Sequence, residues 1–111
     1  MRLFREAYTW RLKPDQVAEY IRLHDAIPEQ VVKLYRQAGI RDIAVYISGC
    51  DIIMTLERDD DVYDQVKAQV AADEIHAAFQ KALAVTPDRT HPGGTYRQIF
   101  RLTANDPPPV P

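Results

Sequence analysis

Two side chains capable of proton chemistry lie four residues apart in the first third of the chain. Tyr20 and His24 fall within a stretch of helical periodicity, and residues four apart on a helix lie on the same face, one turn from each other. Val17 and Ile21 share this apolar face, so the pair is expected to point into the protein. Because an imidazole can give and accept a proton near neutral pH, we interpret His24 as a candidate acid–base group that Tyr20 orients.

The same spacing also fits a purely structural role, with His24 hydrogen-bonded to a backbone carbonyl and Tyr20 filling the core. The other two histidines give weaker signals. His76 lies off the apolar stripe of its helix and is predicted to be exposed, and His91 lies in a loop rich in proline and glycine. Widely spaced histidines do not predict a metal site. Cys50 is the only cysteine, so no intrachain disulfide can form, which fits a reducing cytoplasm.

Alternating strand patterns and helical patterns must position these groups. The predicted strands span residues 3–12, 40–48, 51–57 and 95–103, and the predicted helices span 14–26, 28–38 and 61–84, the last being one interrupted helix or two consecutive ones. Gly49-Cys50 separates the two middle strands and predicts a tight hairpin. Pro14 stands where a helix can begin, and Gly39 is a natural helix end.

These elements follow each other as β-α-β-β-α-β, the ferredoxin-like order of the α+β class. We interpret residues 1–103 as a single ferredoxin-like domain and the proline-rich residues 104–111 as an extended tail. Such a sheet has helices on one face only. The residues assigned to its other face are Arg5, Ala7, Thr9 and Arg11 of the first strand and Arg97, Ile99 and Arg101 of the last. This mixed surface predicts a homodimer that packs through the two sheets, a dimeric α+β barrel.

The composition excludes several classes of protein. The chain has 111 residues, 46% of them apolar and 27% charged, with a net charge of −2, as in an ordinary globular domain. No basic stripe is present, so nucleic acid is not an expected partner. Apolar runs are far shorter than the roughly 18 residues that cross a bilayer, and no basic start precedes an apolar stretch. We therefore expect a cytoplasmic protein with no membrane association.

Several short runs resemble the L-rhamnose mutarotase family. They are YTWRLKPDQVAEYIRLHDAIPE, which carries Tyr20 and His24, AGIRDIAVYI in the hairpin, TPD in the long loop, and YRQIFRL near the end. Each run is short, but they occur in matching order over nearly all of residues 1–102. The resemblance implies a small cytoplasmic dimer of ferredoxin-like domains. It also implies an isomerase that interconverts the α and β anomers of a monosaccharide, L-rhamnose, without a cofactor.

By this resemblance, His24 takes the position of the proton donor and Tyr20 a substrate-binding position. The chain departs from the family at three other substrate-binding positions. Ile43 replaces a tyrosine, and Ala78 and Phe79 replace two adjacent tryptophans. Smaller wall residues suggest a different 6-deoxy sugar, such as L-fucose, or another pyranose.

Three questions stay open at this point. The group that complements His24 is a water or a carboxylate such as Asp25 or Glu29. A monooxygenase or haem-degrading protein of the dimeric α+β-barrel type would share the same order of elements. A non-catalytic module that binds a small ligand would also fit, and it would show no turnover.

Overall fold

A four-stranded antiparallel sheet carries the helices on one of its faces in the computed structural model, which describes residues 1–104. The strands are β1 (Leu3–Arg11), β2 (Ile40–Ser48), β3 (Asp51–Asp59) and β4 (Gly94–Arg97), and the helices are α1 (Val17–Asp25), α2 (Glu29–Gln37), α3 (Asp60–Ala72) and α4 (Glu74–Leu83), with a short 3-10 turn at Pro14–Gln16 before α1. The strand order is β2-β3-β1-β4. This is the predicted ferredoxin-like arrangement.

Side-chain caps explain why the stretch predicted over 61–84 is two helices. The Asp59 side chain accepts a hydrogen bond from the backbone N–H of Asp61 at 3.0 Å and begins α3. Asp73 ends α3 in an extended conformation, and its side chain accepts from the backbone N–H of His76 at 2.8 Å. One residue thus stops the first helix and caps the second. The stretch therefore forms two consecutive helices rather than one interrupted helix.

Two glycines fix the connections on either side of β2. Gly39 ends α2 with a φ of +82°, and a Cβ there would lie 2.8 Å from the carbonyl oxygen of Asp59. Gly49 adopts a φ of +59° in the two-residue loop between Ser48 and Asp51, which confirms the predicted hairpin. These turns hold β2 beside β3 and bring the end of α2 next to the start of β2.

The core lies between the sheet and α1. Leu12, Tyr20 and Ile52 form its buried centre, with Leu12 and Ile52 almost inaccessible to solvent. Trp10 of β1 and Val45 of β2 pack against this cluster from the sheet. The residues of β1 at even positions therefore face the helices, and those at odd positions face away. Tyr20 is anchored in the protein by the same contacts.

The last strand differs from its prediction in length and in orientation. β4 ends at Arg97, whereas 95–103 was expected to be strand, because its pairing with β1 extends only from Gly94 opposite Thr9 to Arg97 opposite Glu6. Ile99 is 88% exposed. Tyr96 lies opposite Ala7 on the helix-free face, and Arg97 lies opposite Glu6 on the helix side, so the assignment of Arg97 to the helix-free face is wrong. Directly opposed residues share a face of the sheet.

The predicted proline-rich tail lies almost entirely outside the described residues. Of 104–111, only residue 104 belongs to the described part. No helix within residues 1–104 is both long and apolar enough to cross a membrane.

Candidate active site

A cavity of about 470 Å³ opens between the helices and the β2–β3 half of the sheet. Its lining residues are His24, Ile27, Val32, Tyr35, Arg36, Ile40, Arg41, Asp42, Ile43, Val45, Met54 and Phe79. Ile43 and its charged neighbours Arg41 and Asp42 are exposed, so the cavity is open to solvent. Its volume lies within the range of roughly 300–1,000 Å³ that is typical of small-molecule sites.

His24 reaches this cavity with one ring nitrogen already engaged. Its Nδ1 lies 2.8 Å from the backbone carbonyl oxygen of Tyr20, one helical turn earlier. A carbonyl can only accept, so Nδ1 carries a proton, and Nε2 is the acceptor whenever the ring holds a single proton. Within residues 1–104, Nε2 has no hydrogen-bond partner. The half-buried imidazole is therefore held in one tautomer with its second nitrogen available.

Aromatic rings hold the imidazole on two sides. The Tyr20 ring lies 4.4 Å from it, centroid to centroid, and Phe79 lies edge-on at 6.1 Å. Tyr20 in turn meets Trp10 edge-to-face at 6.4 Å. Aromatic pairs of this kind stabilise a fold by about 0.5–1.5 kcal/mol each, in addition to the effect of the apolar area that they bury. The ring of His24 is thus positioned by the core as well as by its hydrogen bond.

Tyr20, which the resemblance gives a substrate-binding position, lies in the core beside His24. Its side chain is only 6% exposed and belongs to the core, and it is not among the residues that line the cavity. Burial raises the pKa of Tyr20 to about 12, so the phenol stays protonated at neutral pH. Its backbone carbonyl and its ring orient His24. Tyr20 thus fills the core and His24 bonds a backbone carbonyl, as in the purely structural alternative for this pair. His24 nevertheless also lines the cavity.

The structure brings Ile43 and Phe79 to the cavity of His24 but leaves Ala78 outside it. Ala78 lines a separate groove of about 350 Å³ between α1 and α4. Phe79 borders both spaces and is 6% exposed. Consecutive helical residues point about 100° apart, which explains why these two neighbours do not share one wall.

Sequence reasoning missed Tyr35 and the charged residues of the cavity. The two carboxylates it suggested, Asp25 and Glu29, are exposed and do not line the cavity, whereas Asp42 does. Asp42 follows a break in the β2–β3 register, a feature with no sequence signature here. Tyr35 was visible only as one member of an apolar helix face. Among residues 1–104, no group of three or more potential ligand side chains could hold a metal ion.

The opposite face of the sheet carries a cluster of charged side chains. Glu57 lies 2.7 Å from Arg5, and two further arginines, Arg41 and Arg101, stand at 3.5 and 3.7 Å. The hydrogen bond from Arg5 and the three positive charges lower the pKa of Glu57. This cluster borders a second depression of about 500 Å³ on the helix-free face. It lies across the sheet from His24.

Comparisons with known proteins agree with the fold and show the family. An L-rhamnose mutarotase of Acidiphilium cryptum (strain JF-5) is 26% identical over 99 residues, which cover 86% of this chain and 95% of the relative. The crystal structure of an L-rhamnose mutarotase from Formosa agariphila superimposes with a TM-score of 0.64 at 15% identity, covering 90% of this chain and 99% of that one.

An antibiotic biosynthesis monooxygenase also superimposes, with a TM-score of 0.56 at 12% identity, over 85% of this chain and 93% of that one. At these identities, the two superpositions show the fold alone. The model of the family described as L-rhamnose mutarotase matches residues 5–102. The chain therefore belongs to the L-rhamnose mutarotase family.

Proposed function

We propose that this protein interconverts the α and β anomers of a 6-deoxy-L-hexose, L-rhamnose or L-fucose, with His24 as the proton-transfer group. One observation carries the proposal: an imidazole that is fixed by a hydrogen bond from Nδ1 to the backbone lines a cavity of monosaccharide scale. Membership of the L-rhamnose mutarotase family supports this substrate class.

Anomer exchange requires the pyranose ring to open and close. Nε2 of His24 takes the proton of the anomeric hydroxyl while the bond from C1 to the ring oxygen breaks, which leaves an aldehyde at C1. Rotation about the C1–C2 bond exposes the other face of the aldehyde. The ring oxygen then attacks that face, and His24 returns its proton to the former aldehyde oxygen. Substrate and product are isomers, so the reaction involves no net oxidation or reduction.

The walls of the cavity suit a deoxy sugar. Aliphatic side chains of Ile27, Ile43 and Val45, together with Phe79, give it apolar surface on which the methyl group and C–H face of such a sugar can pack. Arg36 and Asp42 supply polar groups at exposed positions. This combination fits a ligand with one apolar and one hydroxyl-bearing face.

The experiment that tests this function is NMR saturation transfer between the two anomer signals of a sugar. The panel consists of L-rhamnose, L-fucose and common pyranoses, each measured with and without the protein. We expect exchange to accelerate for L-rhamnose or L-fucose. Unchanged exchange for every sugar, with binding detected, would instead favour the non-catalytic module.

We also propose that two copies of the chain associate through the helix-free faces of their sheets. Large apolar side chains are exposed there, including Ile53 at 48% and Tyr96 at 56%. Clustered exposed apolar residues commonly mark an interface. Light scattering of the purified protein should give twice the mass of one chain, and a monomer mass would contradict this proposal.

A further inference from the structure

Besides His24, the ionisable side chain of Tyr35 lines the cavity. Tyr35 of α2 is half-buried and lines the cavity. It supplies the only hydroxyl group among the lining residues, since the other uncharged walls are aliphatic, thioether or phenyl groups and the imidazole of His24. Neither the family resemblance nor the sequence pattern assigned a function to this residue.

A residue of α4 is hydrogen-bonded to the hydroxyl oxygen of Tyr35. Nε2 of Gln80 lies 3.0 Å from this oxygen and donates a hydrogen bond to it. The same amide nitrogen lies 3.4 Å from Nε2 of His76, and the rings of Tyr35 and His76 meet edge-to-face at 5.8 Å. His76, expected to be exposed, is half-buried by this contact.

This arrangement leaves the Tyr35 proton free for another acceptor. Since Gln80 donates to the phenol oxygen, the phenol does not need to donate to Gln80. A hydrogen bond donated to that oxygen also stabilises a phenolate, and it acts against burial, which raises the pKa of Tyr35. An alkoxide is more basic than a phenolate, so a tyrosine can protonate an alkoxide that leaves carbon.

We propose that Tyr35 is the complementary acid–base residue of anomer exchange and that Gln80 positions it. This inference rests on the proposed function. In ring opening, His24 takes the proton of the anomeric hydroxyl, the C1–O bond of the ring breaks, and Tyr35 gives its proton to the ring oxygen. In closure, the Tyr35 phenolate takes that proton back as the oxygen attacks C1, and the imidazolium of His24 protonates the aldehyde oxygen. Both side chains end in their starting forms.

The test uses the full chain and the sugar that the wild-type protein turns over in the anomer panel. Tyr35→Phe keeps the ring and removes only the hydroxyl. We expect its kcat to fall about 100-fold or more, the range for loss of a general acid, with KM within about twofold of the wild type. Gln80→Leu should lower kcat about tenfold, also with unchanged KM, through the lost hydrogen bond to a forming phenolate.

Tyr63→Phe is the matched control. This tyrosine stacks with the guanidinium of Arg58 at 4.0 Å, an interaction that phenylalanine keeps, and it does not line the cavity. Its kcat should equal that of the wild type. The melting temperature of each variant is measured beside the rates. If Tyr35→Phe does not fold, the tenfold loss of kcat expected for Gln80→Leu is the test, and an unchanged kcat for that variant would overturn the assignment.

Two results would overturn the assignment of Tyr35. One is a kcat for Tyr35→Phe within about threefold of the wild type, and the other is a raised KM with kcat kept, which would make the hydroxyl only a binding group. Either leaves the proposed function standing, because the wild-type protein still accelerates exchange. Absence of wild-type exchange on every sugar would remove the proposed function itself and this assignment with it.

Discussion

Replacing His24 with alanine separates the chemistry of the site from its architecture. The substitution removes the nitrogen that faces the cavity and also the hydrogen bond of Nδ1 to the Tyr20 carbonyl. That carbonyl lies within α1, and the imidazole is only half-buried. Loss of the ring contacts with Tyr20 and Phe79 should therefore lower the free energy of unfolding by only about 1–3 kcal/mol. The free energy of unfolding of a typical domain is about 5–15 kcal/mol, so the fold should persist.

The effect of His24→Ala on catalysis should be much larger. General acid–base groups contribute typically 10²–10⁴-fold to a rate, which corresponds to about 2.7–5.4 kcal/mol in the activation free energy. Anomer exchange also proceeds unaided in water, so the observed rate should fall to a value near this background. Added imidazole should restore part of the lost activity, since it can enter the space that the ring vacates.

The assay is saturation transfer between the anomer signals at a fixed sugar concentration, with the melting temperature measured on the same samples. His91→Ala is the matched control, because His91 is exposed in a loop and pairs only with Asp88, at 3.7 Å. It should leave exchange unchanged. A His24→Ala protein that melts normally and retains exchange within about threefold of the wild type would refute the proton-transfer role.

Three further outcomes follow from the same contacts. Phe79→Ala should lower the free energy of unfolding by about 3–5 kcal/mol in urea denaturation, since a buried aromatic ring is removed, and should raise KM because one cavity wall is lost. Glu57→Gln should lower the free energy of unfolding by about 1 kcal/mol at pH 7. The pKa of Glu57 is lower in the folded protein than its ordinary value of 4.5. Its contribution to the free energy of unfolding is therefore complete above pH 4.5 and is lost as the pH falls through the pKa of the folded state. The difference in urea midpoint from the wild type should therefore shrink toward pH 3. Ile53→Arg should convert a dimer to a monomer in light scattering, since the charge would be buried between the sheets.

Features set by residues close in sequence could be predicted. The pairing of Tyr20 with His24 depends only on the geometry of one helix, and the hairpin depends only on Gly49 and its neighbours. The helix stop at Asp73 was visible as a pause in the apolar pattern. In each of these cases, the residues that determine the structure are within one or two turns of each other.

Features set by contact between distant elements could not be predicted. Apolar residues occur at both parities after β4, so alternation alone did not decide whether Tyr96 or Arg97 faces the helices. The pairing with β1 decides it, with Gly94 opposite Thr9 and the Tyr96 ring lying over Gly94. Tyr35 reaches the cavity, and Gln80 reaches Tyr35, only because α2 and α4 pack side by side.

This division between local and distant determinants bears on how such a site can change. The position of His24 depends on one helix and the core beneath it, where a substitution in Tyr20 would cost stability as well as orientation. The walls of the cavity come from α1, α2, β2, β3 and α4, and Ile43 is exposed. A residue there can be exchanged without disturbing the imidazole. Substrate choice can therefore change through the walls while the proton-transfer group stays in place, which is the pattern expected of a mutarotase that retains its reaction and accepts a different sugar.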